Sequence, residues 1–190
     1  ATVASAVGTY PISANISGAS AADYDLTVTA GTLTITQAPL TVTVNDATRA
    51  YGAANPTFTD TVTGLLNGDT VTVTYSTTAT VTSPVGTYPI TATVSGAAAG
   101  NYNPTVTPGN LTITQAPLTL TINNATRAYG AANPVFTGTF TGLVNGDTIT
   151  PTYSTTATVT SPVGSYPISA TLSGAALANY NPTIVPGTLT

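Results

Sequence analysis

The sequence predicts an all-β protein: small β-sandwiches of the immunoglobulin-like kind, repeated in tandem every 78 residues and strung into a rod. Three observations point there. Thr supplies 45 of the 190 residues, and Val, Ile and Tyr supply many of the rest; these β-branched and aromatic types fit a pleated, half-buried surface. Apolar and polar residues alternate with period two, and no stretch of helix length shows helical period. The chain also repeats itself: Gln37-Ala38-Pro39-Leu40 returns as Gln115-Ala116-Pro117-Leu118, and Thr48 to Pro56 returns unchanged as Thr126 to Pro134.

Within one period, strands are expected at about 40–45, 57–64, 70–77, 79–82, 87–95, 102–107 and 110–114. Leu40-Thr41-Val42-Thr43-Val44 turns Leu and Val to one face and Thr to the other. Val71 to Tyr75, Tyr88 to Val94 and Leu111 to Thr114 do the same. Asn67-Gly68 and Asn145-Gly146 carry the strongest two-residue hairpin signal, because both central residues must take positive φ. Asn55-Pro56, Ser83-Pro84 and Asn103-Pro104 mark further breaks. Pro89 cannot donate a ladder hydrogen bond, so its strand is expected at an edge or bulged. Short strands at this spacing favour a sandwich over a barrel, with the pairing order left open. At the junction the apolar positions are odd-numbered before Gln115 (Leu111, Ile113) and even-numbered after it (Leu118, Leu120, Ile122). A continuous strand keeps its parity, so the chain must twist or kink there. A linker of about three residues that includes a Pro leaves neighbouring repeats little freedom to swing.

Aligning 37–112 with 115–190 gives 17 differences in 76 positions, and residues 1–36 match 79–114 with 12 differences. The expected organisation is therefore 1–36 as the second half of a repeat, 37–114 as a full repeat and 115–190 as a nearly full one, a window from a longer array. Near-identical copies suit a mechanical task that each copy performs alike.

Composition narrows function further. Charged residues are 4% of the chain, two Arg and six Asp, with no Lys, Glu, His or Cys and a net charge of −4. His and Cys are therefore missing as zinc, copper or iron ligands, and the usual general base near pH 7 is missing too. Two Arg make no basic face for nucleic acid, and Thr interrupts every apolar run well short of a membrane span. No catalytic residue, no cofactor and no metal site is expected.

Four kinds of residue attract a functional reading. Asp69 and Asp147 follow the Asn-Gly turns, where turn chemistry competes with calcium binding. The other acidic positions Asp23, Asp25, Asp46 and Asp60 are Asn179, Asn181, Asn124 and Gly138 in the last repeat, which argues against a repeat-wide calcium site. Arg49 and Arg127 are the only cations; a structural role is expected, paired with Asp69 and Asp147 or stacked on a Tyr ring. Tyr51, Tyr75, Tyr88 and Tyr102, with their counterparts one period later, offer an aromatic sugar platform or, more simply, core packing with hydroxyls at the rim. Parity with Ile90 and Val94 places Tyr88 inside. Asn15, Asn110 and Asn124 head glycosylation sequons, which also arise by chance in a Thr-rich chain.

Five stretches together resemble a known family: Leu40-Thr41-Val42-Thr43-Val44-Asn45-Asp46, Arg49 to Pro56, Gly64 to Thr70, Val85 to Ile90, and Asn101-Tyr102 with the closing Gly109-Asn110-Leu111-Thr112-Ile113. The set resembles the MBG repeat of the Tyr-Gly-X type, in full over 37–114 and again over 115–190, with its second half in 1–36. The resemblance implies an extracellular β-repeat of large secreted or surface-attached bacterial proteins, many adhesin-like, with no catalytic residues to carry over. The expected function is a structural repeat region, a stiff spacer or a polymerising fibre unit; the alternative is a glycan-binding adhesion module. Expected partners are neighbouring repeats and, by strand complementation, other copies of the chain. Residues 1–36 motivate the latter, because Tyr10, Ile12, Ala14, Ile16, Leu33 and Ile35 form an apolar face that half a sandwich cannot bury alone.

Overall fold

The computed structural model describes all 190 residues, and strands dominate it. The first half-repeat contributes β1 (Gly8–Ile12) and β2 (Gly31–Ile35). The first full repeat contributes β3 (Ala38–Val44), β4 (Ala47–Ala50), β5 (Asp60–Thr63), β6 (Thr72–Ser76), β7 (Gly86–Ser95), β8 (Tyr102–Thr107) and β9 (Gly109–Thr114). The second contributes β10 (Ala116–Ile122), β11 (Gly138–Thr141), β12 (Thr150–Thr155), β13 (Tyr166–Ser173), β14 (Tyr180–Val185) and β15 (Gly187–Leu189). The only helical pieces are three short 3-10 turns, so no helix is long and apolar enough to cross a membrane. The all-β repeat fold read from the sequence is thus the fold of the chain.

The strands gather into two compact units. One comprises Ala1–Asn45, Phe58–Ser76 and Ile90–Gly109; the other comprises Asp46–Thr57, Thr77–Pro89 and Asn110–Thr190. In the first unit β3 lies between β5, antiparallel to it, and β8, parallel to it. Thr72 to Ser76 of β6 pairs antiparallel with residues 91–95 of β7. Leu40 and Val42 of β3 and Tyr102 of β8 are buried, and Val73 of β6 and Val94 of β7 pack on them. The alternation supplies this directly: β3 reads buried at Leu40, Val42 and Val44 and exposed at Pro39, Thr41 and Thr43.

The second unit repeats the plan with β10 between antiparallel β11 and parallel β14. Facing it, β13 lies between β12 and β15, antiparallel to both. Leu120, Ile122, Ile168 and Leu189 close its core, with Phe140, Tyr153 and Ile184 against them. In the same unit β4 runs parallel to β9, with Ala47 opposite Leu111 and Ala50 opposite Thr114. The parallel pairs settle the order that period-two alternation leaves open. A parallel neighbour needs a long crossover, and here the crossover is most of the repeat.

Several local expectations change. Residues 79–82 are a turn and not a strand: Ser83 N–H bonds to the Thr80 carbonyl (3.0 Å) and its hydroxyl accepts the Thr80 N–H (2.9 Å). A seryl hydroxyl beside a proline offers the backbone this alternative to a ladder. Conversely, β4 was not expected, since Arg49 interrupts the apolar alternation. The Asn-Gly turns do have positive φ at both residues, 54° and 76° at Asn67 and Gly68. They are not hairpin turns, however, because β5 pairs with β3 and β6 with β7. In β13 the proline equivalent to Pro89, Pro167, faces Thr188 of β15, while the pairing with β12 begins only at Ile168. The proline therefore sits where one side of an otherwise central strand is free, which meets the same constraint as an edge. The parity change at Gln115 is present: Leu111 and Ile113 are buried before it, Ala116 and Leu118 after it.

In the first half-repeat β1 and β2 pair only with each other. Ile12 is 53% exposed where its counterpart Ile90 is 0%, and Leu33 is 43% exposed where Leu111 is 0%.

Candidate functional site

The one place where tyrosine, aspartate and the Tyr-Gly loop meet is the junction between consecutive repeats, inside the second unit. It starts from the Asn145-Gly146 turn. Asp147 N–H bonds back to the Val144 carbonyl (3.0 Å), which presents the Asp147 carboxylate on the inner side of the turn. Tyr180, at the start of β14, is buried, and its hydroxyl donates to Asp147 Oδ2 at 2.7 Å while accepting the Val144 N–H at 3.0 Å. One phenol thus holds both ends of the turn. Tyr51 of the preceding repeat completes the site: its hydroxyl donates to the same Asp147 Oδ2 at 3.0 Å, and its ring meets that of Tyr180 edge to face at 5.5 Å and 82°. Such a pair adds to stability beyond area burial. The Tyr51 N–H bonds to the Thr114 carbonyl (2.8 Å), which extends the β4–β9 pairing by one residue. Gly52, at φ +78°, lies directly against the Val144 side chain.

The first unit contains the counterpart. Tyr102 hydroxyl donates to Asp69 Oδ2 (2.8 Å) and accepts the Leu66 N–H (2.9 Å). Both phenols are held above the ordinary tyrosine pKa. For Tyr102 the Leu66 N–H is the largest single influence and pulls the other way, but burial, the Asp69 hydrogen bond and the Asp69 charge together outweigh it. For Tyr180 burial leads, opposed by the Val144 N–H and reinforced by Asp147 and by Tyr51. Phenolate formation beside a carboxylate is disfavoured, so both phenols keep their protons and donate them in hydrogen bonds.

The arginines do not pair with these carboxylates, contrary to the expectation. Arg49 is buried; its Nε donates to Asn55 Oδ1 (2.7 Å), and its terminal nitrogens donate to the Ala50 and Thr80 carbonyls. Asn55 in turn donates to the Ala79 carbonyl (2.9 Å). Arg127 repeats this with the carbonyls of Ala128, Ala131 and Thr158, and its buried Nε has no partner. A planar fork with five donors is suited to collecting carbonyls from two chain segments at once. The arginine is therefore a pin that fixes the base of the Tyr-Gly loop. The sequence carried a signal for it, since Asn55 and Asn133 recur six residues after each arginine. Asn-Gly turns drew attention to Asp69 and Asp147, but the tyrosine partners lie 33 residues further on, and only the parallel pairing brings them together.

Tyr88 lies on the inner parity of β7, half-buried, and its hydroxyl donates to the Pro84 carbonyl (3.0 Å). Among the sequon asparagines, Asn124 Oδ1 accepts the Thr188 N–H at 2.8 Å, a structural use of that side chain.

A family model described as MBG domain (YGX type) matches residues 40–112 and, again, residues 118–190. The chain belongs to the MBG domain (YGX type) family. In this chain the Tyr-Gly-X of each MBG repeat is Tyr51-Gly52-Ala53 and Tyr129-Gly130-Ala131, and the first of these is the one that enters the junction. No curated protein matches the chain. Residues 40–190 are accordingly a tandem of two MBG repeats, a structural repeat region.

Proposed function

We propose that these MBG repeats form the structural repeat region of a bacterial extracellular or cell-surface adhesin or filament, with length and stiffness as their task and no catalysis. The observation that carries the reading is the junction itself. A cluster of two phenols and a carboxylate joins Tyr51 of one repeat to Asp147 and Tyr180 of the next. A single-residue link, Gln115, separates β9 from β10, and its side-chain amide donates to the Ala178 carbonyl (3.0 Å), which leaves little slack. Glycan gripping through tyrosine has less support, since Tyr51, Tyr102 and Tyr180 are buried and only Tyr24 and Tyr129 of the ten tyrosines are exposed. The test is twofold. Antibodies against the 190-residue chain should label intact source cells or their shed filaments; labelling only after lysis would sink the surface reading. A glycan array probed with the same chain should stay blank, and dose-dependent binding to one sugar class would favour the adhesion module instead.

A further inference from the structure

The chain has no Cys for a disulfide and no Lys for an amide cross-link, but it has ten tyrosines. Two of them meet at the repeat junction with their hydroxyls on one atom. Tyr51 and Tyr180 both donate to Asp147 Oδ2, at 3.0 and 2.7 Å, so the ring carbons ortho to the two hydroxyls gather around the same point. The ring centroids are 5.5 Å apart and the planes cross at 82°. Phe58 and Tyr75 also pair edge to face, but that pair contains a single phenol. Tyr10, Tyr88 and Tyr166 each donate to a backbone carbonyl of their own segment.

We propose that Tyr51 and Tyr180 are an oxidative cross-linking site, where a peroxidase with hydrogen peroxide couples the two rings through their ortho carbons into dityrosine and Asp147 receives the phenol proton. Each phenol gives up one electron to the oxidant and one proton, by way of the carboxylate, to water. The two phenoxyl radicals then form a bond between one Cε carbon of each ring. The hydrogen on each of these carbons moves to the ring oxygen, which restores both phenols. In sum two hydrogen atoms leave the protein and one peroxide becomes two waters. Three features favour this outcome. A carboxylate already in hydrogen-bond contact takes the proton as the electron leaves, so no free phenolate forms at a place that disfavours one. Burial, with Tyr51 6% and Tyr180 1% exposed, shields the radicals from competing partners in solution, while electron transfer needs no contact between oxidant and ring. Tyr51 stands in the turn after β4 with a single hydrogen bond on its hydroxyl, so its ring is the one that slides to close the bond. The Tyr180 hydroxyl is held by Asp147 and by the N–H and carbonyl of Val144. The bond gives consecutive repeats a second covalent connection beside Gln115. A natural supply of oxidant rests on the extracellular reading above.

Photolysis of ruthenium tris-bipyridyl with persulfate supplies a small one-electron oxidant for the test. The 190-residue chain is treated at low micromolar concentration, so that coupling between molecules through the exposed Tyr24 and Tyr129 stays slow. The monomer should gain dityrosine fluorescence and become lighter by two hydrogens. Arg49 and Arg127 are the only tryptic sites, so the denatured chain yields 1–49, 50–127 and 128–190. Oxidation should join the last two, with Tyr51 and Tyr180 as the linked residues. Tyr51→Phe keeps the ring and should abolish the joined fragment, whereas Tyr129→Phe should leave it. Asp147→Asn keeps an acceptor oxygen but not the base, and should slow the joining several-fold. If Asp147→Asn disturbs folding, the two Phe variants still decide. Dityrosine found only between molecules, no joined fragment, or joining that persists in Tyr51→Phe overturns the proposal. An unchanged rate in a folded Asp147→Asn chain overturns the part assigned to the carboxylate. Because the oxidant is added, each of these results is independent of the surface labelling test.

Discussion

The half-buried carboxylates Asp69 and Asp147 are served by phenols, and the consequences can be measured residue by residue. Tyr180→Phe removes the donor to Asp147 and also strands the Val144 N–H, whereas Tyr51→Phe removes only one of the two donors. Hydrogen bonds to a charged group contribute about 1.5–3 kcal/mol, so Tyr180→Phe should cost that much in denaturant unfolding and Tyr51→Phe less. The arginines give a second comparison. Arg49→Lys loses the Nε bond to Asn55, while Arg127 has no Nε partner to lose. Arg49→Lys should therefore be the more destabilising of the two, by about 1 kcal/mol. Tyr75, Tyr102 and Tyr180 all have raised pKa values, so below pH 10 the folded and unfolded chains are protonated alike at these sites. Above it the unfolded chain releases protons that the folded chain retains. Stability should stay level across neutral pH and fall as pH rises from about 10 through the raised folded values. A melting temperature that climbs between pH 10 and 11 would contradict the assigned hydrogen bonds.

At the scale of elements, the Tyr-Gly loop performs the same turn twice in different surroundings. Gly52 has φ +78° with the Val144 side chain against it, and Gly130 has φ +81° with nothing within 4 Å of an added Cβ. Ala at either position takes on the left-handed penalty of about 1–2 kcal/mol. Only Gly52→Ala also overpacks the junction, a further ~1–3 kcal/mol. The difference between the two variants, read from chemical denaturation of the same chain, isolates the packing contribution of the repeat junction. Equal losses would mean that Val144 yields freely.

For the whole molecule, protection should follow pairing. The central strands β3 and β10 are flanked on both sides and carry fully buried side chains, whereas β1 and β2 have one partner each and expose Ile12 and Leu33. Local opening free energies track this kind of difference. Native-state hydrogen exchange should find β1 and β2 exchanging orders of magnitude faster than β3 and β10. Uniform protection across all of these strands would refute that ranking.

Period-two alternation, the 78-residue repeat and the parity change at Gln115 were legible in the sequence because each is a local pattern, set by side-chain direction along one strand. They were enough for the all-β fold, for most strand positions and for the inner face that holds Tyr88. What remained out of reach depends on neighbours far along the chain. The parallel pairings of β3 with β8 and of β10 with β14 are invisible to alternation, and they place Tyr102 and Tyr180 so that each reaches the aspartate 33 residues before it, Asp69 and Asp147. Charge logic sent Arg49 to Asp69, but a buried guanidinium is satisfied by geometry, and the loop offered it carbonyls and Asn55 first. The sequence by itself determined which residues alternate and what repeats. Only the tertiary structure decided which tyrosine meets which carboxylate, because hydrogen bonds between distant strands follow register, and register is a property of the packed sheets.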